Sequence, residues 1–65
     1  MKYKIEIWRH HVIEDATESD NIDDLVSWFK MNYAYAYENG DCCFEVYRDG
    51  VLIDFNERLN LGFFS

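Results

Sequence analysis

The sequence predicts an α+β fold in the order β-α-β-β, with one helix packed on a three-stranded, mostly antiparallel sheet. Three observations carry that prediction: alternation over residues 2–9, an apolar stripe of helical period over residues 21–38, and an Asp-Gly turn between two strand-like runs. A helix with one apolar stripe and a sheet with one apolar face can bury each other in two layers.

In residues 2–9, Tyr3, Ile5 and Ile7 share one face, while Lys2, Lys4, Glu6 and Trp8 share the other. This is a half-buried strand, with Trp8 the exception on its wet side. His10 and His11 are expected to continue or bend its end. From Glu14 to Ser19 the alternation fades, and residues 14–19 read as a polar connection. The helix comes next. Ile22, Leu25, Val26, Phe29, Tyr33, Ala36 and Tyr37 fall on one stripe over a length of about 27 Å. Ser19 or Asp20 suits its N-cap, Asp23 and Asp24 suit the positive end of its dipole, and Gly40 suits a left-handed stop.

Residues 42–48 form the second strand. Asp49-Gly50 is the two-residue turn of a hairpin, and residues 51–56 return. Register offers a check: with that turn Val46 faces Ile53 and Phe44 faces Phe55, so four large apolar side chains share a face. In residues 57–65, Leu59, Leu61, Phe63 and Phe64 could close the core edge, add a short strand or mediate association. A helical crossover lets the first two strands run parallel. Pattern alone does not order the strands.

Residues 1–65 make a single domain. A chain this short buries only about 60% of its unfolded surface, and five Tyr, five Phe and two Trp supply large side chains for that purpose. Thirteen acids against six bases leave a net charge of −7. Phosphate backbones and anionic membranes repel such a molecule, so neither direct nucleic-acid binding nor membrane association is expected. A basic protein surface is the favoured long-range partner. No charged stretch followed by an apolar run opens the chain, and the adjacent Cys42 and Cys43 read as reduced thiols, so a cytoplasmic location is expected.

Chemistry finds little footing. Gly40 and Gly50 have structural uses and Gly62 is isolated, so no phosphate-binding loop is present. His10-His11 with Cys42-Cys43 invites a zinc site, but neighbours on a strand diverge and metal ligand pairs are spaced more widely. Solvent-facing histidines and packed cysteines are the plainer reading. Asp23-Asp24 could serve acid–base work, yet adjacent acids in a first helical turn more commonly stabilise the dipole. No enzyme activity, metal or cofactor is expected.

Two surfaces remain. Trp28, Met31 and Tyr35, at i, i+3 and i+7, lie away from the core stripe and suit either a covering segment or a partner, including a homodimer. Glu14, Asp15, Glu18, Asp20, Asp23 and Asp24 follow one another with no Lys or Arg among them. A solvated loop and a charged helix start explain much of this. The alternative is a surface that imitates DNA phosphates, which needs dense acids and few bases between them. Glu38 and Asp41 could extend the row if the fold brings them to the same side.

The run Tyr33-Ala34-Tyr35-Ala36-Tyr37-Glu38-Asn39-Gly40-Asp41, followed by Phe44-Glu45-Val46-Tyr47-Arg48-Asp49-Gly50, resembles small acidic early proteins of tailed bacteriophages, in which an aromatic helix precedes a short hairpin. The likeness covers about a third of the chain, a share too small to carry over any functional residue. It implies a host-takeover inhibitor, of which some are DNA mimics that occupy the DNA-binding surface of host proteins such as the nucleoid protein HU. The functional expectation is therefore a non-enzymatic inhibitor bound to a basic, DNA-binding host protein. Glu14, Asp15, Glu18, Asp20, Asp23 and Asp24 would supply charge, and Trp28 and Tyr35 an apolar anchor. An adaptor or oligomeric module using the aromatic helix face is the competing expectation.

Overall fold

The computed structural model describes residues 1–64. Ser65, the last residue of the expected tail, lies outside them. The α+β class holds, but the elements are more numerous than the pattern suggests. They are β1 (Tyr3–Arg9), β2 (Val12–Ser19), α1 (Ile22–Asn32), α2 (Ala34–Glu38), β3 (Cys43–Arg48), β4 (Val51–Leu52) and α3 (Phe55–Leu61). The sheet has four strands in the order β2-β1-β3-β4, and every neighbouring pair is antiparallel.

The first correction concerns residues 10–19. His10 and His11 do not extend β1; they form a tight two-residue turn with φ of 54° and 67°. The segment expected as a polar connection returns as β2, pairing Tyr3 with Ser19 and Arg9 with Val12. Its acids hide the strand because β2 is an outer strand, so most of its side chains stay in water and no apolar alternation is required. This extra reversal also decides strand direction. With β2 running back before α1, the chain enters β3 antiparallel to β1, and the parallel crossover is not formed.

The second correction is a break in the helix. Asn21, rather than Ser19 or Asp20, caps α1, its side chain accepting from the Asp23 N–H at 3.0 Å. The helix stops at Tyr33, whose φ of −133° is not helical, and resumes as α2. Gly40 closes α2 as its type suggests. It takes φ of 78°, its N–H reaches the Tyr37 carbonyl, and the Asp41 N–H reaches that of Ala36, the paired bonds of a Schellman stop.

The Asp49-Gly50 hairpin keeps the expected register, with Arg48 opposite Val51 and Tyr47 opposite Leu52. The Ile53 N–H still donates to the Val46 carbonyl at 2.9 Å. There the strand ends, so Phe44 and Phe55 are not paired as expected. Asp54 instead caps α3, accepting from the Glu57 N–H at 2.8 Å; an acid three residues after a cap is a helix-start signal that overrides the strand pattern. Beyond Gly62 the chain turns back, and Phe63 is buried. Of the three outcomes open to the tail, residues 55–64 close the core edge.

The core lies between one face of the sheet and the three helices. Ile5, Ile7, Phe44 and Val46 rise from the sheet to meet Leu25, Phe29, Ile53 and Phe63. Phe44 is the hub, with its ring centroid 4.3 Å from Phe29, 5.1 Å from Tyr37 and 5.5 Å from Phe63. The expected helical stripe faces this core throughout, Leu25 and Phe29 fully buried and the others partly so. Arg48 Nη2 donates to Glu57 Oε1 at 2.9 Å and Nη1 lies 2.6 Å from Oε2 as an ion-pair contact, holding α3 to β3.

Candidate partner-binding surface

Residues 14–24 surround one long side of the molecule, running up the outer strand and into the start of α1. The fold treats their six acids unequally. Glu14 sits where the β1–β2 register slips between Ile7 and Trp8, a bulge that swings it beside Arg9, whose Nε lies 2.8 Å from its Oε1. Asp15 uses both oxygens within the chain: Oδ1 accepts from the Ala16 N–H and Oδ2 from the Tyr33 hydroxyl, each at 2.8 Å. Glu18 approaches Lys2 at 3.9 Å, with both side chains about half exposed. Asp24 accepts from the Ser19 hydroxyl at 2.8 Å. Asp20 and Asp23 are exposed, and no cation pairs with Asp20, Asp23 or Asp24 among the described residues.

The Asp15–Tyr33 bond has an electrostatic signature. Donating to a carboxylate, together with partial burial and the nearby charges of Asp15 and Glu14, pushes the Tyr33 phenol up to about 12. Asp15 is thus a tether between β2 and the break in the helix as much as a surface charge. Glu38 ends α2 and Asp41 follows it, away from Asp20, Asp23 and Asp24 at the start of α1. Asp41 instead comes toward the Glu14 end of the row, where its charge and that of Glu14 both act on Arg9.

The basic residues are mostly occupied. Lys2, Lys4, Arg9 and Arg48 stand in ion pairs with Glu18, Glu6, Glu14 and Glu57. Arg58 donates to the Phe44 carbonyl at 2.9 Å and lies over its ring. What is left in excess is negative.

The two aromatic anchors separate. Trp28 is half-buried, packed on the core with its ring 5.3 Å from that of Tyr33. Tyr35 is 81% exposed and Met31 84% exposed. Because the helix breaks between them, Trp28 and Tyr35 belong to different helices. The core and Tyr33 account for most of the covered surface of Trp28, while Met31 and Tyr35 are left uncovered by the tail and by the β1–β2 turn.

On the sheet face away from the helices, Glu6 is only 8% exposed although it stands on the open side. Lys4 Nζ at 3.2 Å and Trp8 Nε1 at 3.3 Å enclose it, and Tyr47 borders it, its phenol pushed up by burial and by the Glu6 charge. Sequence alternation placed Trp8 on this face; its donation to Glu6 follows from the two side chains lying two residues apart on the same side of β1. A shallow groove of about 480 Å³ gathers Trp8, His10, His11, Asp41, Cys42 and Cys43 at the end of the sheet beside the His10-His11 turn. Among the described residues no group of three or more His, Cys, Asp or Glu is placed to hold a metal. Cys42 is buried and Cys43 exposed, both as free thiols, and burial pushes the Cys42 thiol up. No helix of the described residues is long and apolar enough to cross a membrane.

No family model matches the chain, and no curated protein or solved structure matches it.

Proposed function

We propose that this protein is a non-enzymatic, acidic binding module that occupies the basic, DNA-binding surface of another protein, acting in the bacterial cytoplasm as a phage-type DNA mimic. A nucleoid protein of the HU kind or a transcription component is the target class. The observation that carries the reading is the exposed acidic side formed by β2 and the entrance to α1, ending in Asp20, Asp23 and Asp24 with no cation paired to them among the described residues. Magnitude favours imitation of one DNA strand rather than a duplex. The eight residues of β2 extend about 27 Å, over which a single strand carries about eight phosphates. β2 itself carries three acids, Glu14, Asp15 and Glu18, and Asp20, Asp23 and Asp24 beyond its end bring the row to six over a longer path, with Arg9 and Lys2 reducing the net effect.

Competition tests it. Labelled duplex DNA bound to a purified HU-type protein is displaced by this protein, with the affinity falling on the order of tenfold or more between about 50 and 200 mM salt. Joint neutralisation of Asp20, Asp23 and Asp24 to Asn weakens the displacement. A complex that holds DNA and this protein together, or binding indifferent to salt, defeats the reading. The rival reading, an adaptor or homodimer built on the aromatic helix face, rests on Met31 and Tyr35 for its outward part, since Trp28 is largely packed.

A further inference from the structure

The two edges of the sheet are not equivalent. On one side it ends in β4, two residues long, after which the chain turns away into α3. On the other it ends in β2, eight residues long, with no strand beyond it among the described residues. The direction of the backbone groups on β2 follows from the pairing. The Lys2 carbonyl accepts from the Asp49 N–H on the β3 side, so even-numbered residues of β1 turn their backbone groups to β3 and odd-numbered ones to β2. Tyr3 and Ile5 therefore bond to Ser19 and Thr17, and the backbone groups of Ala16 and Glu18 point out of the sheet. The Ala16 N–H is met by Asp15 Oδ1 at 2.8 Å. The Ala16 carbonyl and both groups of Glu18 are left facing outward.

Such an edge accepts another strand, and its side chains decide which one. β2 carries Glu14, Asp15 and Glu18 and no Lys or Arg. A second copy adding β2 to β2 brings two sets of acids together on chains that each carry −7. A basic strand meets the same acids favourably. We infer that β2 receives an extended, Lys- or Arg-bearing segment of the partner protein as a fifth, antiparallel strand. The added strand bonds to the Ala16 carbonyl and to both groups of Glu18, with a cation beside the Glu18 carboxylate. The inference rests on the acidic-module reading above and specifies its binding mode. The Lys2–Glu18 contact of 3.9 Å is long and exposed enough to yield to that cation, and the bulge confines pairing to residues 16–19.

The test uses the whole protein and a short synthetic peptide of alternating lysine and valine, together with two versions N-methylated on either the lysines or the valines. An added strand uses only one of those two sets of N–H groups. One methylated version therefore loses affinity on the order of tenfold while the other keeps it, and hydrogen exchange at the Glu18 amide slows when the unmodified peptide is added. Glu18→Pro removes an outward N–H that the β1 ladder does not use, and is expected to weaken binding about tenfold more than Glu18→Gln, which removes the charge alone. Should Glu18→Pro fail to fold by circular dichroism, the methylated pair decides. Equal binding of both methylated versions with unchanged Glu18 exchange overturns strand addition, while salt-sensitive binding in that case leaves the acidic-module reading standing. No binding of the peptide at low salt overturns strand addition, while the DNA-displacement assay decides the acidic-module reading separately. A concentration-dependent dimer that protects the Glu18 amide puts a second copy in this place and overturns the inference.

Discussion

The two hairpins of this molecule are built on the same turn from different residues. Asp49-Gly50 joins β3 to β4 with φ of 50° and 82°, and His10-His11 joins β1 to β2 with φ of 54° and 67°. In both, the two central residues are left-handed, as two-residue connections between twisted strands require. Asp-Gly adopts that geometry readily. His-His adopts it against its own preference, so something other than the turn must hold the first hairpin closed. The ladder does so: β1 and β2 pair along nearly their whole length, whereas β3 and β4 pair over two rungs. The second hairpin is organised by its turn, the first by its strands.

The largest expected effect separates the core strand from the outer one. Phe44→Ala removes the hub of the aromatic cluster and is expected to cost about 3–5 kcal/mol, against less than about 1 kcal/mol for Ile13→Ala on the outer strand, where the side chain is 49% exposed. Denaturant unfolding measures both. Comparable losses would mean that β2 is packed far more firmly than its exposure indicates.

The turns themselves come next. Nothing lies within 4 Å of a Cβ added at Gly50, so Gly50→Ala is opposed by backbone conformation alone, at about 1–2 kcal/mol. His11→Gly runs the other way, relieving a left-handed non-glycine residue for a gain of up to about 1 kcal/mol less the entropy that glycine loses on folding. The contrast fails if thermal melts show both substitutions moving stability in the same direction.

The smallest effect concerns the tether that joins the first hairpin to the helices. A phenol raised to about 12 from an ordinary value near 10 favours the folded state while it is protonated. Its contribution is complete below about pH 10 and is lost as the pH rises through 12. Tyr33→Phe and Asp15→Asn should therefore lower stability at neutral pH and flatten its fall across that alkaline window. An unchanged alkaline profile in either variant would show that the hydroxyl bond contributes nothing.

This contrast also explains what the sequence disclosed. Asp49-Gly50, the stripe from Ile22 to Tyr37 and the stop at Gly40 are local statements, and each could be read because turn chemistry or period sufficed. The first hairpin could not be read that way, since neither His-His nor a run of acids announces a turn or a strand. The break at Tyr33 was hidden by the stripe itself, which continues through it, while the phenol that reaches Asp15 comes from a segment distant in sequence. Asp54 followed by Glu57 was a readable helix start, masked by the apolar pairing that Phe55 offered. For the acidic surface, composition located all six carboxylates. It did not show that Arg9 and Lys2 reach Glu14 and Glu18, because only the β1–β2 register and its bulge put those bases beside them.

The position of β1 in the sheet has a consequence for how the chain assembles. One of its ladders joins it to β2 across a two-residue turn, and such a hairpin closes in microseconds. Its other ladder pairs Tyr3 with Arg48, a contact separated by most of the chain, and loop closure over that span is slower and entropically costlier. Ile5 and Ile7, opposite Val46 and Phe44 in that second ladder, are the residues at which substitution should slow refolding, and changes in β2, already paired with β1 when that ladder closes, should slow it as well rather than act mainly on unfolding. During synthesis β1 can take its first partner once residue 19 has left the ribosome, and it must keep its other edge unpaired until residues 43–48 emerge.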